Sequence, residues 1–531
     1  MSSAEIDFRS SGEAKALVAR PADCRRGRGW LAAYLALKIL GTVVVTGVFA
    51  SAVEQWTTAA WVALGLVAVG ALWISGGAAT AMLGFVQSDP SSASIPLAWQ
   101  PLHKTAILVL LCGEPAEPLA AYLRTLRRRA DAMGLADTVS IFVLSDTRGA
   151  QRIAHEEAAL ASLVDQESII YRRRAANTGL KPGNIAEWVN GAGKEFSYMA
   201  VLDSDSRMSA ERIRSLIFQI ERRPDLGLLQ AGISMVPGHT LFGRHQRLAN
   251  RLLSPNFGRG LAAWSGDVGN YWGHNAIMRI PAFRSALALP VLSGRAPFGG
   301  PPLSHDFVEA AWIRRAGWAV ALDPDTRGSA EDGPQTLGEF YRRDRRWCQG
   351  NLQHLRILGE PGLDPVSRLH LASGVAGYLV APAWLALLVI IAADLVTVRG
   401  ARPLATVAII LLLPKLVAFA HFARRARTAG RIRVILRASL SELALSALLA
   451  PLVMLRQSGA VLSVIMGRDC GWKSDRSSRL ALFPWLPEVS IGAALLALAV
   501  ASAATSVTWL LPVALPLLGA PVLRRWLERD V

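Results

Sequence analysis

Two carboxylates stand at the end of a short apolar segment in the middle of the chain. Residues 198–202 predict a buried strand, and Asp203 and Asp205 follow it with one residue between them. The carboxyl ends of strands in an open α/β sheet border the crevice in which ligands bind. Carboxylate oxygens suit Mg²⁺ or Mn²⁺, which proteins commonly hold together with the phosphates of a nucleotide. The pair therefore indicates a metal–diphosphate site, with a solvated turn as the alternative.

Two further acids occupy positions that such a site would use. Asp146 follows a second predicted strand, 139–144, so it is expected at the same edge of the sheet as Asp203. A βαβ unit needs no acid at the end of either strand, so the presence of acids at both strand ends favours a ligand-binding site. Asp306 begins a predicted helix, where it is either a first-turn acid that interacts favourably with the helix dipole or a general base.

A lysine flanked by glycines lies between these strands. Lys181 stands in the segment 179–184, Gly-Leu-Lys-Pro-Gly-Asn, which predicts a tight turn that lets the backbone approach a phosphate. The ammonium group would neutralise that phosphate, and an ordinary turn is the alternative. Arg172, Arg173 and Arg174, just upstream, are expected to form a solvated basic edge.

The segment 266–279 has the composition of a sugar-binding loop. It is rich in glycine, aromatic and amide residues, which stack on a sugar ring and hydrogen-bond its hydroxyls. His274 and Asn275 lie within it, and we assign both to a bound sugar together with His305, the neighbour of Asp306. For His274, a metal ligand and a hydrogen-bonded core histidine are the alternatives.

Strand and helix patterns alternate around these residues. Short apolar runs separated by helical periods predict parallel βαβ units in a doubly wound α/β sheet. The predicted strands are 105–112, 139–144, 168–171 and 198–202, and the predicted helices are 117–132, 151–163 and one that begins at 184–189.

The rest of the chain has the composition of a membrane protein. Of its 531 residues, 52 % are hydrophobic and only 18 % are charged. Six apolar runs are long enough to predict membrane spans, namely 29–53, 59–86, 371–396, 404–422, 491–507 and 509–523. Arginines beside the spans place both termini in the cytoplasm.

These patterns divide the chain into segments. A stretch at 439–466 has basic groups on both sides, so a helix in the membrane interface is expected there, with eight spans in the chain as the alternative. The predicted segments are a basic terminus 1–28, two spans 29–86, a cytoplasmic α/β domain 87–370, two spans 371–424, an interface helix and loop 425–488, and a hairpin 489–531.

The net charge of +17 indicates anionic membrane lipids as partners. The basic residues cluster beside the spans, so no nucleic-acid partner is expected. A few of these residues are candidates for binding the phosphates of a nucleotide. The cysteines, Cys24, Cys112, Cys348 and Cys470, show no metal-binding spacing and are expected to be free thiols. A basic run at 340–347 predicts an amphipathic helix at the bilayer surface, in which Trp347 would be an interface anchor.

Taken in order, these motifs resemble those of the processive family-2 glycosyltransferases, which have a GT-A fold. The shared pattern consists of Asp146, Asp203-x-Asp205, Asp306 and Arg343-x-x-Arg346-Trp347. Arg343 holds a place that glutamine usually takes. Residues 171–174, 181–184, 303–310 and 342–351 are similar to one branch, the synthases of osmoregulated periplasmic glucans in Gram-negative bacteria. Residues 467–472 stand where related synthases carry a gating loop.

The resemblance implies a role for each motif. Asp146 and Asp203 would contact the nucleotide, and Asp205 would hold the Mg²⁺ or Mn²⁺ ion. Lys181 and Arg346 would supply positive charge to the leaving diphosphate. Asp306 would take the proton from the acceptor hydroxyl, and Trp347 would offer a flat face to the acceptor sugar.

The resemblance also implies the product and its destination. The expected reaction is inverting, processive transfer from UDP-glucose to a β-1,2-linked glucan. That glucan would cross the inner membrane, in which the enzyme is a multi-pass protein with a cytoplasmic catalytic domain. An acyl carrier protein is a further candidate partner. The alternatives are a synthase of another β-glycan such as cellulose, a polyprenyl-phosphate glycosyltransferase, and a transporter or regulator that senses nucleotide sugars.

Overall fold

The computed structural model describes residues 27–89, 95–96, 98–166, 169–470, 483–502 and 507–531. Most of the basic amino terminus, Cys24 among it, and the last two residues of the gating-loop-like segment 467–472 lie outside this described part.

The described helices and strands follow one another as two apolar helices, an α/β domain and a second group of apolar helices. The helices are α1 Arg28–Ala52, α2 Thr58–Val86, α3 Ala116–Ala132, α4 Ala150–Gln166, α5 Leu180–Asn190, α6 Ala210–Glu221, α7 Leu241–Ser265, α8 Ile280–Arg284, α9 His305–Arg315, α10 Leu337–Gln353, α11 Pro365–Ala392, α12 Arg402–Ala423, α13 Ala429–Ile465, α14 Leu486–Ala501, α15 Val507–Leu518 and α16 Ala520–Leu527. The strands are β1 Thr105–Leu111, β2 Val139–Ser145, β3 Ile169–Arg173, β4 Tyr198–Asp203, β5 Ser206–Met208, β6 Leu226–Ala231, β7 Ser234–Met235, β8 Ala276–Arg279, β9 Ala319–Asp323 and β10 Ser329–Glu331.

Seven strands form one mixed sheet in the order β3-β2-β1-β4-β8-β6-β9. β1 pairs in parallel with β2 and β4, and β2 pairs in parallel with β3, which confirms the predicted βαβ units. β8 is antiparallel to both β4 and β6. This short strand, which the sequence analysis did not identify, makes the sheet mixed because it enters from the opposite end after α7. A small second sheet has the order β5-β10-β7.

The central position of β1 follows from its sequence. All of its residues are buried, and a continuous apolar run is typical of a strand that is covered on both faces. Alternate side chains point to opposite faces, so Ile107 and Val109 pack with α3, α4 and α6, whereas Ala106 and Leu108 pack with α5, α8 and α9. The α/β domain therefore has a hydrophobic core on each side of its sheet.

Five of the described helices, α1, α2, α11, α12 and α13, are long and apolar enough to cross a membrane. The pair α15 and α16, bent by 55°, makes a sixth if it is counted as one span. Helices α1, α2, α11 and α12 cover the first four predicted spans, and α14 and α15 cover most of the last two and pack against each other. The predicted α/β domain inserted between groups of apolar helices is thus confirmed.

The expected interface helix at 439–466 lies in the second part of α13, which has 37 residues. This part of α13 contains two charged side chains, Glu442 and Arg456, and both are paired with neighbouring helices. Lys415 of α12 donates to the two carboxylate oxygens of Glu442 at 2.5 and 2.6 Å, and Arg456 donates to those of Glu488 at 2.6 and 2.8 Å. Pairing of this kind lowers the cost of placing charge among apolar helices. A position in the membrane interface stays a prediction.

Helix α7 connects the α/β domain to the apolar helices through a close backbone contact. A Cβ atom on Gly260 of α7 would lie 1.8 Å from the carbonyl oxygen of Thr80 in α2, so the crossing requires glycine at this position. Arg259 adds a hydrogen bond of 3.1 Å to the carbonyl oxygen of Gly84. Because α7 also borders the cavity described next, this contact fixes the cavity relative to α2.

Candidate active site

A cavity of about 840 Å³ opens at the carboxyl ends of β1, β2 and β4. It brings together nine of the ten side chains that the sequence predicted for the site, which lie far apart in the chain. They are Asp146, Lys181, Asp203, Asp205, His274, His305, Asp306, Arg346 and Trp347. The tenth, Asn275, does not line the cavity.

Asp146 forms a buried ion pair at one end of the cavity. Arg174 Nε and Nη2 donate to its two carboxylate oxygens at 2.7 and 2.8 Å, and both side chains are nearly inaccessible to solvent. Arg174 also donates to the carbonyl oxygens of Thr178 and Leu180, at 2.9 and 3.0 Å. The expectation of a solvated edge is therefore wrong for Arg174, because it holds Asp146 and the loop before Lys181 in one arrangement.

Replacing Arg174 with alanine is expected to lower the free energy of unfolding by about 3–5 kcal/mol, because Asp146 would be left buried without its partner. Urea titration of the purified protein in detergent measures this loss. Arg173 supplies a matched control, since its pair with Glu157 at 3.7 Å is at the surface. Arg173→Ala should cost less than ~1 kcal/mol, and equal losses in the two variants would contradict a structural role for the buried pair.

Lys181 lies in the first turn of α5, where the sequence analysis predicted a separate turn. Gly179 precedes the helix with φ of 69°, in the left-handed region that favours glycine. The Lys181 ammonium forms an ion pair with Asp203, and both side chains face the cavity. The predicted cation and the predicted nucleotide-binding acid are thus direct neighbours.

Asp205 is the carboxylate best placed to hold a metal ion. Among the residues that the structure describes, none donates a hydrogen bond to it or lies within ion-pair distance. Burial and the neighbouring Asp203 carboxylate raise the pKa of Asp205, which a cation would offset. The described residues contain no group of three or more His, Cys, Asp or Glu side chains suited to a metal. Mg²⁺ commonly binds one or two carboxylates and completes its shell with phosphates and water, so a carboxylate such as Asp205 is a chemically suitable ligand.

Asp306 lies in the first turn of α9 and faces the same space. A Cβ atom on Gly273 would be 3.4 Å from Asp306 Oδ2 and 3.8 Å from Lys181 Nζ, so both groups border this glycine. Gly273 has a φ of +90°, a conformation that other residues rarely adopt. Burial raises the pKa of Asp306, and the charge of His305 opposes that rise. A carboxylate in this environment accepts a proton more readily than an exposed one.

His274 is hydrogen-bonded in the wall of the cavity, which agrees with the alternative of a hydrogen-bonded core histidine. Its Nδ1 lies 3.2 Å from Ser206 Oγ, and its Nε2 lies 3.2 Å from Glu331 Oε2. Burial alone would lower the pKa of His274, but the hydrogen bond to Glu331 and the charges of Asp203 and Glu331 outweigh burial and raise it. Arg343 lies 3.6 Å from the same carboxylate of Glu331. No local pattern in the sequence indicates a role for Glu331, because it reaches the cavity only through the tertiary contacts of β10.

Asn275, which was expected to bind a sugar, lies in the core instead. It is fully buried with a φ of 50°, and its Nδ2 donates to Ser329 Oγ at 3.0 Å and to the carbonyl oxygen of Ala330 at 3.2 Å. The amide thereby links β8 to β10, so it is occupied in holding the two sheets together.

Helix α10 supplies the far wall of the cavity. Trp347 is 44 % exposed there, and the Arg343 guanidinium lies 4.9 Å from its ring centroid. Arg346 also lines this wall, and burial, followed by the charge of Arg343, lowers its pKa. Asp344 points the other way, accepting a hydrogen bond of 3.0 Å from Tyr378 of α11. This bond fixes the aromatic wall against an apolar helix.

Two further parts of the structure border the cavity, and of these only the glycine-rich loop was predicted from the sequence. One face of α7 contributes Asn250, Ser254 and Phe257, at helical spacing, and the glycine-rich loop contributes Trp272. The described beginning of the gating-loop-like segment, 467–470, rests against α10, where Gln349 Nε2 donates to Asp469 Oδ1 at 2.6 Å. Aromatic side chains thus line the cavity from α7, from the glycine-rich loop and from α10.

Comparison with known families gives a consistent result. The model described as Glycosyl transferase family group 2 matches residues 198–422. Three relatives carry the name glucans biosynthesis glucosyltransferase H. That of Bradyrhizobium diazoefficiens is 39 % identical over 78 % of this chain and 60 % of its own length. That of Vibrio cholerae is 40 % identical over 77 % of this chain and 61 % of its own length. That of Xanthomonas campestris pv. campestris is 38 % identical over 77 % of this chain and 69 % of its own length.

Among solved structures, the chain is similar to a mannosyltransferase from Pyrobaculum calidifontis in complex with GDP-Man and Mn²⁺. The TM-score is 0.45 at 11 % identity, over 77 % of this chain and 98 % of the other. TarS residues 1–349 from S. aureus, in complex with UDP-GlcNAc, gives a TM-score of 0.32 at 13 % identity, over 69 % and 92 %. The family match confirms the predicted glycosyltransferase domain of GT-A type. The chain spans 60 % of the length of the Bradyrhizobium relative.

Proposed function

This chain belongs to the glucans biosynthesis glucosyltransferase H family, and on that premise we propose that it is an inverting β-glucosyltransferase that uses UDP-glucose. The proposed product is the β-1,2-linked backbone of an osmoregulated periplasmic glucan. The apolar helices would hold the enzyme in the inner membrane with its α/β domain in the cytoplasm.

One observation carries the proposal. Asp146, Asp205 and Asp306 come from distant parts of the chain and line a single cavity, together with the cations Lys181 and Arg346. Three acids and two fixed cations are the groups that a transfer from a nucleotide diphosphate requires. A domain that only senses nucleotide sugars needs groups that bind the nucleotide, but it has no need of a further acid such as Asp306 to accept a proton.

The donor would lie along the carboxyl edge of the sheet. Asp146, oriented by Arg174, would accept a hydrogen bond from the uracil ring, and Asp203 would contact the nucleotide. Asp205 would hold Mg²⁺ or Mn²⁺, which when bound neutralises charge on the diphosphate. Lys181 and Arg346 are positioned before the reaction begins, so they stabilise the charge on the leaving group without rearrangement.

The transfer itself is a single displacement. The acceptor hydroxyl oxygen forms a bond to the anomeric carbon of glucose, while the bond from that carbon to the diphosphate oxygen breaks. Asp306 takes the hydroxyl proton as the new bond forms. Attack from the side opposite the leaving group converts the α-linked donor to a β-linkage.

The acceptor would bind between α10 and α7. Trp347 of α10 and Phe257 of α7 line the cavity and offer flat apolar faces to sugar rings, and Asn250 and Ser254 of α7 offer hydrogen-bonding groups. Tyr378 lines the same space from α11, an apolar helix long enough to span the membrane. A polar polymer cannot leave through lipid, so a path beginning at Tyr378 is the proposed route to the periplasm.

Membranes that contain the chain, incubated with radiolabelled UDP-glucose and Mg²⁺, test the proposal. We expect label in a polymer whose methylation analysis gives 2-linked glucose. A 4-linked polymer would favour a cellulose-like synthase, and label extracted into organic solvent would favour a polyprenyl-phosphate glycosyltransferase. Nucleotide binding without any transfer would favour a sensor, and each of these three results contradicts the proposed product.

A further inference from the structure

Glu309 is a buried acid that the proposed transfer does not use. It lies one helical turn after His305 in α9, and its side chain is only 2 % exposed. Glu309 Oε1 is 3.2 Å from His305 Nδ1, and His305 in turn borders the cavity. A buried carboxylate is costly unless a charged or hydrogen-bonding partner compensates it, so the imidazole is the partner of Glu309.

This pair is adjacent to the acid proposed as the base. His305 and Asp306 are consecutive residues in the first turn of α9, where the helix dipole also favours negative charge. Burial would lower the pKa of His305, but the charge of Glu309 and their hydrogen bond, together with the charge of Asp306, outweigh burial and raise it. His305 in its charged form lowers the pKa of Asp306, whereas the Glu309 charge raises it.

Three other titratable groups lie around Asp306, and each is less suited than His305 to control its charge. Lys181 also lowers the pKa of Asp306, but its ammonium is paired with Asp203. Tyr271 donates to the carbonyl oxygen of Gly273 at 2.6 Å, and burial raises its pKa well above the usual value. Burial lowers the pKa of His354 to about 4, so that imidazole is neutral.

We propose that Glu309 and His305 form a positioning pair for Asp306. Glu309 orients the His305 imidazole and keeps it positively charged, and that charge keeps the Asp306 carboxylate ionised before each transfer. His305 therefore acts through Asp306, in place of the direct sugar contact that the sequence analysis assigned to it. The inference rests on the proposed function, because Asp306 is a base only if the protein is a transferase.

The pH dependence of kcat for glucose transfer tests this pair. His305→Asn removes the positive charge and leaves Glu309 unpaired, and both changes raise the pKa of Asp306. Because transfer requires ionised Asp306, the acidic limb of the profile should move to higher pH by about one unit or more. The double variant His305→Asn with Glu309→Gln also removes the negative charge, so its limb should return toward that of the unmodified protein.

Asp267→Asn is the matched control, since Asp267 is also a buried acid that forms an ion pair, with Arg223 at 2.9 Å, and it does not line the cavity. Its acidic limb should not move. UDP binding by each variant shows that the nucleotide site is intact. If His305→Asn lowers kcat equally at every pH, or if the double variant shows no return, the positioning pair is overturned while the transferase stands. Transfer that survives Asp306→Asn would overturn the positioning pair together with the assignment of Asp306 as the base. Absence of transfer in the unmodified protein would overturn the proposed function itself.

Discussion

Asp306→Asn is expected to reduce glucose transfer by about 10²–10⁴-fold, the contribution typical of a general base. Asparagine keeps the shape of the side chain but cannot accept the proton of the acceptor hydroxyl. Binding of UDP should change little, because the proposed nucleotide contacts come from Asp146 and Asp203. The two quantities are measured by radiolabel incorporation and by equilibrium binding of UDP to the purified protein.

Glu211→Gln is the control for this variant. Glu211 is a first-turn acid of α6 that forms a surface ion pair with Arg129. Like Asp306 it interacts with a helix dipole, but it does not line the active-site cavity. Its replacement should leave transfer unchanged. If Asp306→Asn loses UDP binding and transfer in equal measure, Asp306 is a structural first-turn acid and not the base.

Asp205→Ala is expected to remove the stimulation of transfer by Mg²⁺ and to lower activity by about 10³-fold, since a metal ion contributes several kcal/mol of charge stabilisation. Asp203 is paired with Lys181, so it is a poor replacement for the missing carboxylate. Titration of Mg²⁺ against transfer rate, in the unmodified protein and the variant, measures the effect.

Chelation of the metal from the unmodified protein should reproduce the loss seen in Asp205→Ala. Glu195→Ala, which removes an exposed acid that does not line the cavity, should retain the full response to Mg²⁺. A strong response to Mg²⁺ in Asp205→Ala would exclude Asp205 as the ligand.

The sequence was sufficient to predict the elements whose patterns are local. Continuous apolar runs specify β1, β2 and β4, and the direction of parallel strands brings Asp146 and Asp203 to one edge. The apolar helices α1, α2, α11 and α12 were identified in the same way, because their length and composition are enough.

What the sequence did not reveal depends on contacts between distant segments. Arg172 and Arg174 look equivalent in a run of three arginines, yet only Arg174 turns inward to Asp146. The residue type of Asn275 favoured a sugar contact, but its amide donates a hydrogen bond to Ser329 of β10. Glu331 reaches the cavity only because β10 joins β5 and β7 in the small sheet. Residue type and spacing along the chain do not specify such pairings.

The central claim is that the distant acids act on one nucleotide sugar in one cavity. A cryo-electron microscopy structure of Asp306→Asn with UDP-glucose and Mg²⁺ tests it most directly, because this variant should bind the donor without turning it over. We predict the uracil at Asp146, the diphosphate between Asp205 and Lys181, and the glucose beside residue 306. UDP-glucose bound elsewhere, with this cavity empty at saturating donor, would contradict the account.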